Sequence, residues 1–253
     1  MKAWAAALLL LWTAPALAAP RVVSLNLCTD QLLVLLAPEQ VVALSPLARD
    51  PALSVVADTA RGMRWVRPDA EAVLALAPDL VLAGPFGAQT TLAALARRGV
   101  RIERTAMPQD FPAIRAETRR FAALLGAEAA GERLIARMDR VLAGIAPAGG
   151  RSALPLEARG YAADAGSLAD AVIAAAGLRH ASQGGRMALE TIALHPPDLL
   201  VTAEAPDFPS LATDLLRHPA LAGIPRVTWP PALLACGGPW TAEAVALLVE
   251  SGG

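Results

Sequence analysis

The chain almost lacks lysine. Lys2 is the only one in 253 residues, so arginine supplies nearly all of its permanent positive charge. This excludes a Walker-type phosphate loop, whose lysine reaches the phosphates, and catalysis through a lysine Schiff base. Cysteine occurs twice and never as C-x-x-C. His180, His195 and His218 are scattered, none with another histidine at helical or hairpin ligand spacing, so no metal site is evident. No G-x-S-x-G elbow or H-E-x-x-H helix is present, which removes two common hydrolase signatures. Acidic and basic residues nearly balance at 23 and 22, which argues against a nucleic-acid partner. Aromatics make up only 4% of the chain, so those that fall in loops stand out.

What is present begins with an export signature. Lys2 precedes a short apolar core, Ala3 to Trp12, and Ala16-Leu17-Ala18 gives the small-x-small pattern of a cleavage site. The apolar run is too short to span a bilayer comfortably, and no cysteine follows the cleavage site to take a lipid. Residues 1–18 therefore read as a cleavable signal peptide, and a soluble periplasmic protein is expected from Ala19 onward.

Strand and helix patterns then alternate, which predicts parallel α/β layers. Arg21 to Leu27 reads as a buried strand, followed by a helix over Gln31–Ala37 capped by Thr29 or Asp30. Val41–Leu44, Leu80–Ala83 and Val100–Thr105 read as further strands, with helices near Ala70–Ala77 and Gln89–Arg98. From Phe111 to Ile145 the pattern is helical with a break at Gly126. Leu134, Ile135, Met138, Val141, Leu142 and Ile145 form one apolar stripe. A helix of about 20 residues there would be about 30 Å long and could join two lobes. Alternation resumes with a strand over Ser152–Ala158, a helix over Leu168–Ala176, a helix–strand pair over Leu189–Thr202, a strand at Arg226–Trp229 and a helix over Thr241–Glu250. The predicted division is a lobe over 19–110, a helical segment over 111–147 and a second lobe over 148–253.

The two halves echo each other. Glu71-Ala-Val-Leu-Ala-Leu-Ala-Pro-Asp-Leu-Val-Leu resembles Glu190-Thr-Ile-Ala-Leu-His-Pro-Pro-Asp-Leu-Leu-Val, each with a glutamate seven residues before a Pro-Asp pair that opens an apolar strand. The shared helix-to-strand context points to a duplicated lobe. Each glutamate falls in the first turn of a short helix, where the dipole favours it by about 0.3–1 kcal/mol. Asp69 is a good cap for the first helix and Ala188 a poor one for the second. Local capping therefore does not account for both glutamates.

The opening Arg21-Val-Val-Ser-Leu-Asn-Leu-Cys-Thr-Asp-Gln-Leu-Leu, the two Glu-to-Pro-Asp-Leu segments and the central helix resemble the cobalamin and ferric-siderophore family of periplasmic binding proteins. The resemblance covers the whole mature chain. It implies a class III architecture, with two Rossmann-like lobes on parallel sheets joined by a single long backbone helix. It also implies the solute-binding subunit of an ABC importer, a non-enzyme that delivers an iron chelate (siderophore or haem) or a corrinoid. The partners implied are that ligand and a dimeric inner-membrane permease, the receptor itself being a monomer. Iron or cobalt would arrive within the cargo, so no resident cofactor is implied. Glu71 and Glu190 match the family glutamates that dock onto permease arginines. Two departures stand out: Ala188 replaces the serine that usually caps the second docking helix, and Gly84 stands where cobalamin receptors often carry tryptophan.

By position in the loops after strands, the candidate ligand contacts are Ser45, Arg49, Arg64, Trp65, Phe86, Tyr161, Arg186 and Trp240. Aromatic walls suit a flat ligand and arginines suit its acidic groups. Cys28 and Cys236, in opposite halves, form a disulfide in the oxidising periplasm if they lie close. Otherwise they are buried thiols or soft ligands at the cleft. Two other functions remain open: a receptor for bare zinc or manganese ions, and an exported α/β enzyme with an unfamiliar site.

Overall fold

The computed structural model describes residues 19–182, 184–203 and 211–251. The expected signal peptide, residues 1–18, lies outside the described residues.

The first half yields β1 (Val22–Ser24), α1 (Leu27–Leu36), β2 (Val41–Ala43), α2 (Ala57–Ala60), α3 (Ala70–Leu74), β3 (Leu80–Ala83), α4 (Gln89–Arg97) and β4 (Arg101–Arg104). All four strands run parallel in the order β2-β1-β3-β4. The central pair is buried along its whole length, as its unbroken Val/Leu/Ala runs require for strands covered on both faces. The edge strand β4, Arg-Ile-Glu-Arg, presents its arginines to solvent, a charged edge that resists pairing with another chain.

The expected first strand and helix meet earlier than the apolar run suggests. Asn26 breaks the strand and caps α1, its side chain accepting from the Cys28 N–H at 2.9 Å. Thr29 and Asp30 are therefore not caps. Both lie inside the first turn and are fully buried.

The helical segment is a pair, α5 (Phe111–Leu125) and α6 (Glu128–Ala143), with the break at Gly126. They run antiparallel, tied by Arg115 to Asp139 and Arg119 to Glu132. Gly131 lets them approach, since a Cβ there would stand 2.6 Å from that of Ala122. At 16 residues α6 is about 24 Å long, shorter than expected, and it makes the crossing between lobes. Its start packs on the first lobe's core through Ala130 and Leu134, and its end on the second through Met138, Val141 and Leu142.

The second half supplies β5 (Ser152–Pro155), β6 (Tyr161–Ala162), α7 (Leu168–Ala175), β7 (Arg179–His180), β8 (Gly185–Arg186), α8 (Leu189–Leu194), β9 (Leu199–Ala203), α9 (Leu211–Asp214), β10 (Arg226–Trp229) and α10 (Ala242–Ser251). Its parallel sheet has the order β10-β9-β5-β7, while β6 and β8 form a separate antiparallel ribbon. In both sheets the first strand is central, the second lies on one side, and the third and fourth lie on the other. The repeat seen in the sequence is thus a repeat of topology.

The Pro-Asp pairs have the same mechanical task in each lobe. Asp79 accepts from the Arg21 N–H at 2.8 Å, locking the start of β3 to the start of β1. Asp198 accepts from the Ser152 N–H and hydroxyl, both at 2.7 Å, locking β9 to β5. Those two hydrogen bonds hold the Asp198 carboxyl below its ordinary range.

Candidate ligand-binding cleft

In open parallel sheets the loops after the strand ends form the binding crevice, and the two sheets present these ends to a common space. A cavity of about 880 Å³ opens there, within the range of small-molecule sites. The first lobe contributes Cys28 and Leu32 from α1 and the segment Thr105–Gln109 after β4. Most of the wall is the second lobe's: Leu156, Tyr161, Leu168, Leu216, Trp229 and Leu234 are its larger members.

The wall is closed on one side by a disulfide between Cys28 and Cys236, whose Cα atoms are 5.4 Å apart across 208 residues of sequence. It pins a late segment of the chain onto α1. Cys236 and Trp240 belong to the first lobe's buried core, whereas α10, directly after them, packs in the second. The boundary between lobes is therefore crossed a second time near the C-terminus.

Glu117 of α5 fixes the Thr105–Gln109 wall. Its carboxylate accepts from the Ala106 N–H at 2.8 Å and the Thr105 hydroxyl at 2.9 Å, and Arg120 donates to both of its oxygens. Burial works against the charged form, but these donors outweigh it and keep the carboxyl below its usual range.

The candidate contacts separate on this geometry. Tyr161 lines the cavity and is about half exposed. Ser45 does not line it. Its side chain is buried, its hydroxyl donates to Asp30 at 2.5 Å, and its N–H donates to the same carboxylate at 3.0 Å. Burial pushes that carboxyl up to about 7 despite the hydrogen bonds. Trp240 is also a core residue, 9% exposed, because the 3-10 turn Pro239–Thr241 rolls its ring against Gly238.

Arg49 donates to the Arg61 carbonyl at 3.1 Å. Arg64 and Trp65 sit where the chain bridges to Leu44, and neither lines the cavity, Trp65 being exposed. Phe86 projects from the loop after β3 without lining the cavity, and it is 76% exposed. Arg186 pairs across the ribbon with Tyr161 but borders a separate groove with Glu190 and Leu215.

Sequence reasoning missed Met107, Glu157, Asp164 and Trp229, all of which line the cavity. Met107 and Trp229 were within its reach, since Trp229 ends β10 and Met107 lies in the loop after β4, both strands that the pattern does identify. Glu157 and Asp164 sit in the β5–α7 connection, whose path depends on the β6–β8 ribbon, and two-residue strands leave no periodic signal.

Glu71 and Glu190 are both exposed, each in the first turn of its short helix. Asp69 caps α3 by accepting from the Ala72 N–H at 2.8 Å, and α8 has no side-chain cap. Instead α8 is approached through Met187, whose N–H donates to the Gly160 carbonyl at 2.8 Å, next to Tyr161.

The profile of the periplasmic binding protein family matches residues 22–227. Among solved structures, the chain is similar to the periplasmic heme-binding protein RhuT of Roseiflexus sp. RS-1 at 25% identity and a TM-score of 0.72, covering 92% of this chain and 98% of that one. It is also similar to a periplasmic heme-binding protein of Pseudomonas aeruginosa at 23% identity and a TM-score of 0.71, covering 92% of each chain. The vitamin B12 binding protein BtuF of Vibrio cholerae shares 16% identity at a TM-score of 0.68, over 92% of this chain and 96% of that one. No match was found among curated proteins.

Proposed function

The chain belongs to the periplasmic binding protein family, and from that premise we propose that it captures an iron chelate or a corrinoid in the cavity between its lobes. It is the solute-binding subunit of an ABC importer, acting in the periplasm on a small-molecule ligand that it passes to a permease. The observation that carries the ligand reading is the cavity itself: about 880 Å³, walled by Leu156, Trp229, Met107 and the disulfide. Such a wall suits a broad, largely apolar molecule better than a hydrated ion. Relatives described as heme-binding and vitamin B12 binding share this fold.

On this reading Tyr161 offers the cavity its phenol, and the exposed Phe86 and Trp65, outside the lining, serve as further contacts. Residues 1–18 direct export and are removed, residues 19–110 and 148–253 act as lobes, and residues 111–147 act as the joining segment. The receptor works as a monomer. Glu71 and Glu190 dock it on a dimeric permease, one carboxylate per subunit, through charge-assisted pairs with arginines. Glu190 lacks its cap, and its helix takes its position from the Met187–Gly160 hydrogen bond instead.

Calorimetric titration of the chain from Ala19 with hemin, cyanocobalamin, cobinamide and several ferric siderophores tests this. Saturable one-to-one binding of at least one compound is expected, with no conversion of it. Silence toward all of them, with tight binding of zinc or manganese, would favour the bare-ion receptor.

A further inference from the structure

The charge of the cavity wall is one-sided. Among the described residues that line it are two carboxylates, Glu157 and Asp164, and no arginine, lysine or histidine. Both are exposed, and neither has a hydrogen-bond or ion-pair partner among the described residues for its side chain. Asp164 is held in place by a backbone made to receive it. Gly184 has a φ of +99°, and a Cβ there would collide with the Asp164 carboxylate, so only glycine leaves it room. The neighbouring arginines do not offset this charge within the wall. Arg159 sits in the turn before Tyr161, and Arg186 borders the other groove beside Glu190.

A ligand that bears carboxylates or catecholates is normally recognised by arginine forks that match its acidic groups. Here such a ligand would meet two carboxylates in a partly dehydrated space, where like charges repel more strongly than in water. A cationic group in the same place would be attracted. We propose that the cavity selects uncharged or cationic iron chelates and corrinoids and disfavours polyanionic ones, with Glu157 and Asp164 setting the preference. The proposal rests on the ligand reading above and adds to it the sign of the charge.

The test compares ligands that share a scaffold and differ in charge. Ferrioxamine B carries a free ammonium, which succinylation turns into a carboxylate; aquacobinamide and its monocarboxylate form a second pair. Titrations at low salt should show the cationic member of a pair binding at least about tenfold tighter, and about 0.15 M salt should narrow that gap. Glu157→Gln and Asp164→Asn, both at exposed positions, should each narrow it by roughly three- to tenfold. Two other results are distinguishable. Hemin or ferric enterobactin binding as tightly as the cationic ligands, with no response to the double variant, overturns the charge preference and leaves the ligand reading standing. A chain that binds no compound of the set overturns the ligand reading, and the charge preference with it.

Discussion

The two lobes share one topology and divide the work unequally. Both bury their central strands, but in the first the short helix α3 is capped by Asp69 and lies apart from the cavity. The second supplies most of the cavity wall, and its matching helix α8 has no side-chain cap and is tied through Met187 to the turn beside Tyr161. The same contrast appears in the first helix of each lobe. Asp30, in the first turn of α1, receives Ser45 from beyond β2 in a fully buried site, whereas Asp170, in the first turn of α7, pairs at 3.0 Å with His180 of β7. Both lobes keep the frame and the Pro-Asp locks. The loops between frame elements differ, supplying buried core in one lobe and cavity wall in the other.

The largest expected effect removes what the lobes have in common. Glu71→Ala with Glu190→Ala should abolish uptake in cells and leave ligand affinity unchanged in the purified protein. A loss of affinity would mean that these carboxylates serve the cavity instead. Next comes the bond that pins the late segment at Cys236 to the first lobe's core. Cys28→Ser with Cys236→Ser should lower unfolding free energy by about 2–5 kcal/mol in a denaturant titration, because a cross-link closing so long a loop restricts the unfolded chain. A negligible change would show that the packing of Trp240 alone secures that segment.

Asp30 tests the buried chemistry peculiar to the first lobe. Its carboxyl titrates near 7 in the folded chain against an ordinary value of 3.8, so the folded state binds the extra proton between these values. Its stabilising contribution is complete below about pH 4 and lost as the pH rises through about 7, a decline of up to roughly 4 kcal/mol. Stability measured across that window should fall in the wild type and stay flatter in Asp30→Asn. Capping gives the smallest effect. Asp69→Ala should cost about 1 kcal/mol and Ala188→Ser should return a similar amount or less, each bringing α3 and α8 closer to parity in hydrogen exchange.

Most of the frame was legible because its signals are local. The apolar run Leu80–Ala83 and the Gly126 break leave marks in the sequence that need no partner to interpret, and the repeated Pro-Asp segments anticipate the matching sheets. The start of α1 was obscured because Leu25 and Leu27 continue the apolar run on either side of Asn26, and only the backbone shows that Asn26 caps a helix. The cavity was less legible for a related reason. Ser45 and Trp240 occupy loop positions, as binding residues do, but long-range contacts turn both inward. Glu157, Tyr161 and Asp164 are brought to the wall by a ribbon of two-residue strands paired across a long connection, and a single sequence does not specify such a pairing.

The most direct test of the account is a fluorescence titration of the chain and its Trp229 variant, Trp229 lining the cavity, with an iron chelate or corrinoid. Saturable quenching with one ligand per chain is predicted, and Trp229→Ala should weaken the affinity read from the remaining tryptophans by about tenfold, while Trp240→Phe leaves it unchanged. An affinity unaffected by Trp229→Ala would place the ligand elsewhere and contradict the cavity as the binding site.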